Sequence, residues 1–207
     1  MPEAPEKPWY IIRRSDIHHR GIFARRDIPP DTPIIEYIGE HISKAESQRR
    51  AERLLAKSQK TGGAAVYIFE LNKRTDIDGG MSWNPARLIN HSCSPNCEAY
   101  IMRGRVWIHS LRNVAKGEEL TYNYGFDLEH WTEHPCLCGS ENCVGFIADK
   151  KHWPKLRRII AGLKASRAAA QAEKDATPHA DARHGHVKKV ARTKKSAKAA
   201  KNTTKKG

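Results

Sequence analysis

Three thiols fall within eight residues in the run Cys136-Leu137-Cys138-Gly139-Ser140-Glu141-Asn142-Cys143. Zinc takes thiolates at about 2.3 Å, and a tight turn brings three of them within reach of one ion. Gly139 helps the backbone to bend there. A structural zinc site takes four ligands, so the run needs a partner from elsewhere. Cys93, Cys97, His91, His130 and His134 all carry suitable donors. Five cysteines are an odd number, and their clustering fits metal ligation in a reducing compartment better than paired disulfides.

Two further runs are dense in chemistry. Asn90-His91-Ser92-Cys93-Ser94-Pro95-Asn96-Cys97 follows the apolar Leu88-Ile89 and is rich in hydrogen-bonding side chains. Buried, each unsatisfied group would cost about 1 to 3 kcal/mol, so the run either holds a turn together or binds a polar ligand. In Gly117-Glu118-Glu119-Leu120-Thr121-Tyr122-Asn123-Tyr124, the two tyrosines would share one face of an extended strand. Taken alone, the first run reads as a turn and the alternating tyrosines read as core packing.

The elements that must position these groups are mostly short strands. Runs of Ile, Val, Tyr and Phe broken by Gly, Pro, Asp and Asn predict strands over 9–14, 21–24, 34–37, 66–71, 98–102 and 106–110. The last two are joined by a hairpin turn at Arg103-Gly104. Ser43 followed by Glu46 is a capping box, predicting a helix to about Lys60 that Thr61-Gly62-Gly63 stops. A second helix over 149–173 has Pro154 in its first turn and Leu156, Ile159, Ile160 and Leu163 on the face that packs. The fold class expected is mainly β with few helices.

Charge divides the 207 residues sharply: residues 1–149 carry a net −1 and residues 150–207 a net +15. The end of the chain, Lys/Ala-rich from 174 to 207, cannot bury enough surface to offset ordering and is expected to be disordered. Such a tail binds nucleic acid by counterion release. No apolar run resembles a signal peptide or a membrane span, so the expectation is an intracellular protein without membrane contact.

Together these segments resemble the SET-domain protein-lysine methyltransferases. The resemblance rests on Arg20-Gly21-Ile22-Phe23-Ala24, Tyr37-Ile38-Gly39-Glu40, the Arg87 to Asn96 signature, Glu118 to Tyr124 and the Cys-x-Cys-x4-Cys triplet, in the family's order. It implies a β-clip fold with pseudoknot-like threading, in which the Asn-His and Tyr-x-Tyr segments meet: a SET domain over 9–125, a post-SET zinc loop over 126–148, then the C-terminal helix and the tail. It implies an S-adenosyl-L-methionine site at His18, Arg20, Gly21, Tyr67, Asn90, His91 and Leu137. A lysine channel would be lined by Tyr37, Phe69, Tyr122 and Tyr124, with Tyr124 orienting the transfer and Tyr122 limiting the product to mono- or dimethyl-lysine. The family pattern selects Cys93 as the fourth zinc ligand with Cys136, Cys138 and Cys143. One departure stands out: His19 occupies the place of the first Gly in the family's Gly-x-Gly.

The substrates implied are lysines of histone or histone-like, DNA-associated proteins, in a nucleus or on a chromosome if the cell is eukaryotic and in the cytoplasm or nucleoid if it is bacterial. A ribosomal or other non-histone substrate is the alternative within the same chemistry. A non-enzymatic chromatin- or nucleoid-binding role is the alternative outside it. Ala191-Arg192-Thr193-Lys194 resembles the start of a core histone tail, which makes Lys194 a candidate for self-methylation.

Overall fold

A computed structural model describes residues 7–61 and 67–176. Among these residues, ten strands form three small sheets. In the first, β1 (Tyr10–Arg14) pairs antiparallel with β2 (Arg20–Ala24), β2 pairs antiparallel with β10 (Glu119–Tyr122), and β10 runs parallel to β7 (Asn90–His91). The second has the order β3 (Pro33–Tyr37), β9 (Arg105–Ser110), β8 (Cys97–Met102), and the third β4 (Glu40–Ser43), β6 (Thr75–Asp78), β5 (Ile68–Glu70). Alternation along β2, β9 and β10 sends Ile22, Val106, Ile108 and Leu120 into the main core, all fully buried. The expected mainly β class is what the described residues adopt, with two α-helices.

Arg103 and Gly104 both take positive φ, 50° and 77°, as a two-residue hairpin turn between β8 and β9 requires. Helix α1 (Lys44–Thr61) starts where Ser43 Oγ accepts the Glu46 N–H at 3.3 Å. The Glu46 carboxylate turns to Arg49 and Arg50 rather than back to the cap. The helix docks on the third sheet through charges. Arg50 Nη1 donates to Glu40 at 2.8 Å and Asp78 at 2.7 Å, and Lys44 Nζ donates to Asp76 at 2.6 Å.

Strands β4, β6 and β7 are absent from the sequence expectation. They are two to four residues long, carry Asp, Glu, His or Asn, and exist only because a neighbour pairs with them. Strand β10 ends at Tyr122, so Tyr122 and Tyr124 do not share a strand face as expected. A 3-10 turn, Lys150–His152, precedes helix α2 (Trp153–Ala176).

The described residues up to Lys164 form one compact unit, in which a second core joins Cys93, Val144, Ala148 and Leu156 to Trp131, Phe146, Trp153 and Ile160. Of the helix face expected to pack, Leu156 is fully buried, whereas Leu163 is 47% exposed. The face is used over its first turns only. The second unit begins at Ala165, and its described side chains are exposed. The Lys/Ala-rich segment with Lys194 lies outside the described residues apart from its first three, which end α2. Among the described residues no helix is long and apolar enough to cross a membrane.

Candidate active site and metal centre

The site begins with the parallel pairing of β7 and β10, which sets Asn90 beside Thr121 and His91 beside Tyr122. Two runs thirty residues apart thereby meet. Successive strand positions point to opposite sides. Asn90 turns toward Glu119, and its Nδ2 donates to Glu119 Oε1 at 2.7 Å and to Ser15 Oγ at 3.1 Å. The Ser15 hydroxyl in turn donates to the same carboxylate at 2.8 Å. Gly21 is what lets that carboxylate approach, because a Cβ there would overlap Glu119. Gly21 thus sits behind Asn90 and outside the cavity wall.

That wall encloses a cavity of about 610 Å³. Its lining has an aromatic part, Tyr37, Phe69, Tyr122 and Tyr124, and a mostly polar part, His18, Arg20, Tyr67, Asn90 and His91, with Leu137. The aromatic side is continuous: ring centroids lie 5.5 Å apart for Tyr37 and Phe69, 6.5 Å for Phe69 and Tyr122, and 5.0 Å for Tyr122 and Tyr124. Tyr37 Oη donates to the Tyr67 carbonyl and Tyr124 Oη to the Ile89 carbonyl, each at 2.8 Å. Burial raises Tyr37, Tyr122 and Tyr124 above the ordinary phenol range. Their hydroxyls stay protonated and act as hydrogen-bonding groups, not as phenolate bases. Leu137, 65% exposed, stands on the cavity rim.

Sequence reasoning missed Ser15, Glu119 and Arg87. Glu119 left a signal, a carboxylate beginning the run Leu120-Thr121-Tyr122 in which every other residue is buried. Arg87 lines the cavity, its guanidinium 5.6 Å from the Tyr67 ring and its buried Nε without a hydrogen-bond partner. His19, at the position of the missing Gly, takes φ 41°, the left-handed conformation that glycine adopts freely. Its ring meets His18 at 4.2 Å between centroids.

Beside the cavity, the sulfurs of Cys93, Cys136, Cys138 and Cys143 all lie within 4.8 Å of one another. Cys93 Sγ is 3.9 Å from Cys136 Sγ and 3.8 Å from Cys143 Sγ. A tetrahedron of thiolates at about 2.3 Å from its centre has edges of about 3.8 Å. Backbone N–H groups face the sulfurs, from Val144 to Cys93, from Cys93 to Cys138 at 3.5 Å and from Gly145 to Cys143 at 3.3 Å. Such donors stabilise thiolate charge. Burial pushes the Cys93 thiol up to about 11, and neighbouring sulfurs push the same way, an arrangement that a bound cation reverses. The four-cysteine group can hold a metal ion. Of the other candidate ligands, Cys97 is buried in the main core, His130 pairs with Glu133 at 3.8 Å, the His134 ring packs on Phe126 at 4.9 Å, and His91 lies beside the cluster, its Nε2 3.7 Å from Cys93 Sγ, outside the four-sulfur group.

Comparison with known proteins identifies the family. The family described as SET domain matches residues 19–125. A histone-lysine N-methyltransferase, H3 lysine-4 specific, of Saccharomyces cerevisiae is 42% identical over 143 residues, 66% of this chain and 13% of the relative. Its counterpart in Chaetomium globosum is 41% identical over 140 residues, 65% of this chain and 13% of that protein. A variant-silencing SET domain-containing protein of Plasmodium falciparum is 39% identical over 144 residues, 68% of this chain and 6% of the relative. The matched region is therefore a small part of each of these longer proteins.

Proposed function

The chain belongs to the SET-domain family, and from that premise we propose that it is a protein-lysine N-methyltransferase that uses S-adenosyl-L-methionine. The observation that carries the reading is the junction of an aromatic channel with a polar wall at Tyr124 and His91, whose rings stand 5.4 Å apart. The polar wall fits the cofactor. Arg20, His18 and the unpartnered Arg87 Nε are donors suited to a carboxylate, and β7, the outer strand of its sheet, offers a free backbone edge at Asn90 and His91. Gly21 and Glu119 hold Asn90 in place, and Leu137 closes the rim.

When bound, the cofactor supplies an electrophilic methyl group and a positive charge. The chain's own residues prepare the lysine. A free lysine with a pKa of about 10.4 is protonated at neutral pH, and its ammonium cannot attack. The walls of Tyr37, Phe69 and Tyr122 strip water from it and lower that pKa by desolvation. Tyr124, fixed through the Ile89 carbonyl, aligns the amine, and alignment of reactants supplies much of the acceleration. Tyr122, a largely buried side chain on the cavity wall, brings a hydroxyl that limits the space for added methyl groups, so the products are mono- and dimethyl-lysine.

The substrate class we propose is histone or histone-like proteins, in line with the names of the relatives. The basic end of the chain would hold the enzyme on nucleic acid, and so on a chromosome or nucleoid. Zinc at Cys93, Cys136, Cys138 and Cys143 would tie the loop carrying Leu137 to the segment carrying Asn90 and His91. The test is transfer of radiolabelled methyl groups to a panel of histones, bacterial histone-like proteins and ribosomal proteins, with Tyr124→Phe as control. Labelling of a histone-type protein that falls roughly 100-fold or more in the variant is expected. No labelling of any lysine would leave a binding scaffold as the function.

A further inference from the structure

We infer that His91 is a positioning residue for the metal centre: its Nε2–H donates to the Cys93 sulfur and joins the thiolate cluster to the backbone of Tyr124. The inference rests on the zinc reading and adds a second role for a side chain that also lines the cavity. Three observations carry it. The backbone N–H of Tyr124 donates to His91 Nδ1 at 3.2 Å. An amide N–H has only a donor to give, so Nδ1 must hold the lone pair, and the proton of the neutral ring sits on Nε2. That Nε2 lies 3.7 Å from Cys93 Sγ.

Both groups are closed off from water, His91 being 3% exposed and Cys93 fully buried. A buried N–H needs an acceptor, and among the described residues the sulfur is the one within reach. A thiolate is the stronger acceptor, so the contact improves when Cys93 binds a cation as thiolate. Partners of this kind orient a metal ligand and tune its donor strength. The chain of contacts then runs from the ion through Cys93 and His91 to the Tyr124 backbone, whose ring is pinned at its other end by the Ile89 carbonyl. Loading the metal site and setting the angle of the catalytic tyrosine become one event.

The experiment uses the full chain loaded with cadmium-113 in place of zinc and labelled with nitrogen-15 at histidine. Expected is a neutral Nε2–H tautomer for His91, with scalar coupling between that proton and the ion through the sulfur. A cadmium resonance typical of four thiolates accompanied by an Nδ1–H tautomer, or by no coupling, overturns the inference and leaves the metal reading intact. Absence of any thiolate-bound cadmium overturns both. A second measurement removes the donor while keeping a ring: His91→Phe should lose zinc to a competing chelator with roughly 10- to 100-fold weaker affinity than the parent. Unchanged affinity overturns the inference. Should that variant not fold, the resonance measurement on the parent chain decides alone.

Discussion

At the residue scale, the chemistry depends on a few hydroxyls and one strained backbone. Tyr122 is buried, and among the described residues no backbone carbonyl holds its hydroxyl as Ile89 holds that of Tyr124. Tyr122→Phe removes one oxygen from the channel and keeps the ring. Mass spectrometry of a peptide substrate should then reveal a shift toward higher methylation states, with the first methyl added at a rate within a few-fold of the parent. Early trimethyl-lysine in the parent, unaffected by the substitution, would remove Tyr122 from this role. His19 makes the opposite kind of prediction. A non-glycine residue in the left-handed region costs about 1 to 2 kcal/mol, part of which is offset by the entropy that Gly loses on folding. His19→Gly should stabilise the chain by up to about 1 kcal/mol, read as a higher urea midpoint at unchanged slope.

At the scale of elements, what matters is how closely β2 and β10 approach. Their antiparallel pairing sets Glu119 opposite Phe23, and the Glu119 side chain reaches two residues along the same face to Gly21, where its carboxylate collects Ser15 and Asn90. A methyl group at Gly21 displaces the carboxylate and frees the Asn90 amide. Gly21→Ala should therefore weaken cofactor binding about tenfold, close to 1.4 kcal/mol, in a calorimetric titration. Destabilisation of 1 to 3 kcal/mol, about what one buried unsatisfied polar group costs, should accompany it. A variant that binds cofactor as tightly as the parent would show that Asn90 needs no carboxylate behind it. The charges that dock α1 on the third sheet are a different case. Arg50 and Lys44 are partly exposed, so their pairs fix position more than they add stability.

At the scale of the whole molecule, the compact unit contains two hydrophobic clusters, and the sulfurs belong to the smaller one. The main core closes without them. Chelation should accordingly abolish methyl transfer at concentrations that leave the β-sheet circular dichroism signal unchanged. Activity that survives removal of the metal, verified by elemental analysis, would break the link between the metal centre and the cofactor site. The net charge of +15 beyond residue 149 gives a separate prediction. Deleting residues 177–207 should lower DNA retention at low salt and flatten its salt dependence while leaving methylation of a short peptide intact. Equal retention by the truncated chain would remove the tail from nucleic-acid binding.

The sequence by itself determined the β class, the hairpin at Arg103-Gly104, the cap at Ser43 and the identity of the residues with chemistry to offer. Turn residues, caps and apolar alternation act over a few positions, so they can be read locally. Only the tertiary structure decided which candidates meet. Cys93 and not Cys97 joins the three clustered thiols, although the two lie four residues apart, because the chain passes from β7 toward the metal loop at one and into the main core at the other. Strands as short as β7 hold their shape through a distant partner, and the pairing of Asn90 with Thr121 is a long-range choice that no local rule encodes. The service of Gly21 to Asn90 is of the same kind, since it consists of space that becomes useful only once Glu119 arrives to fill it.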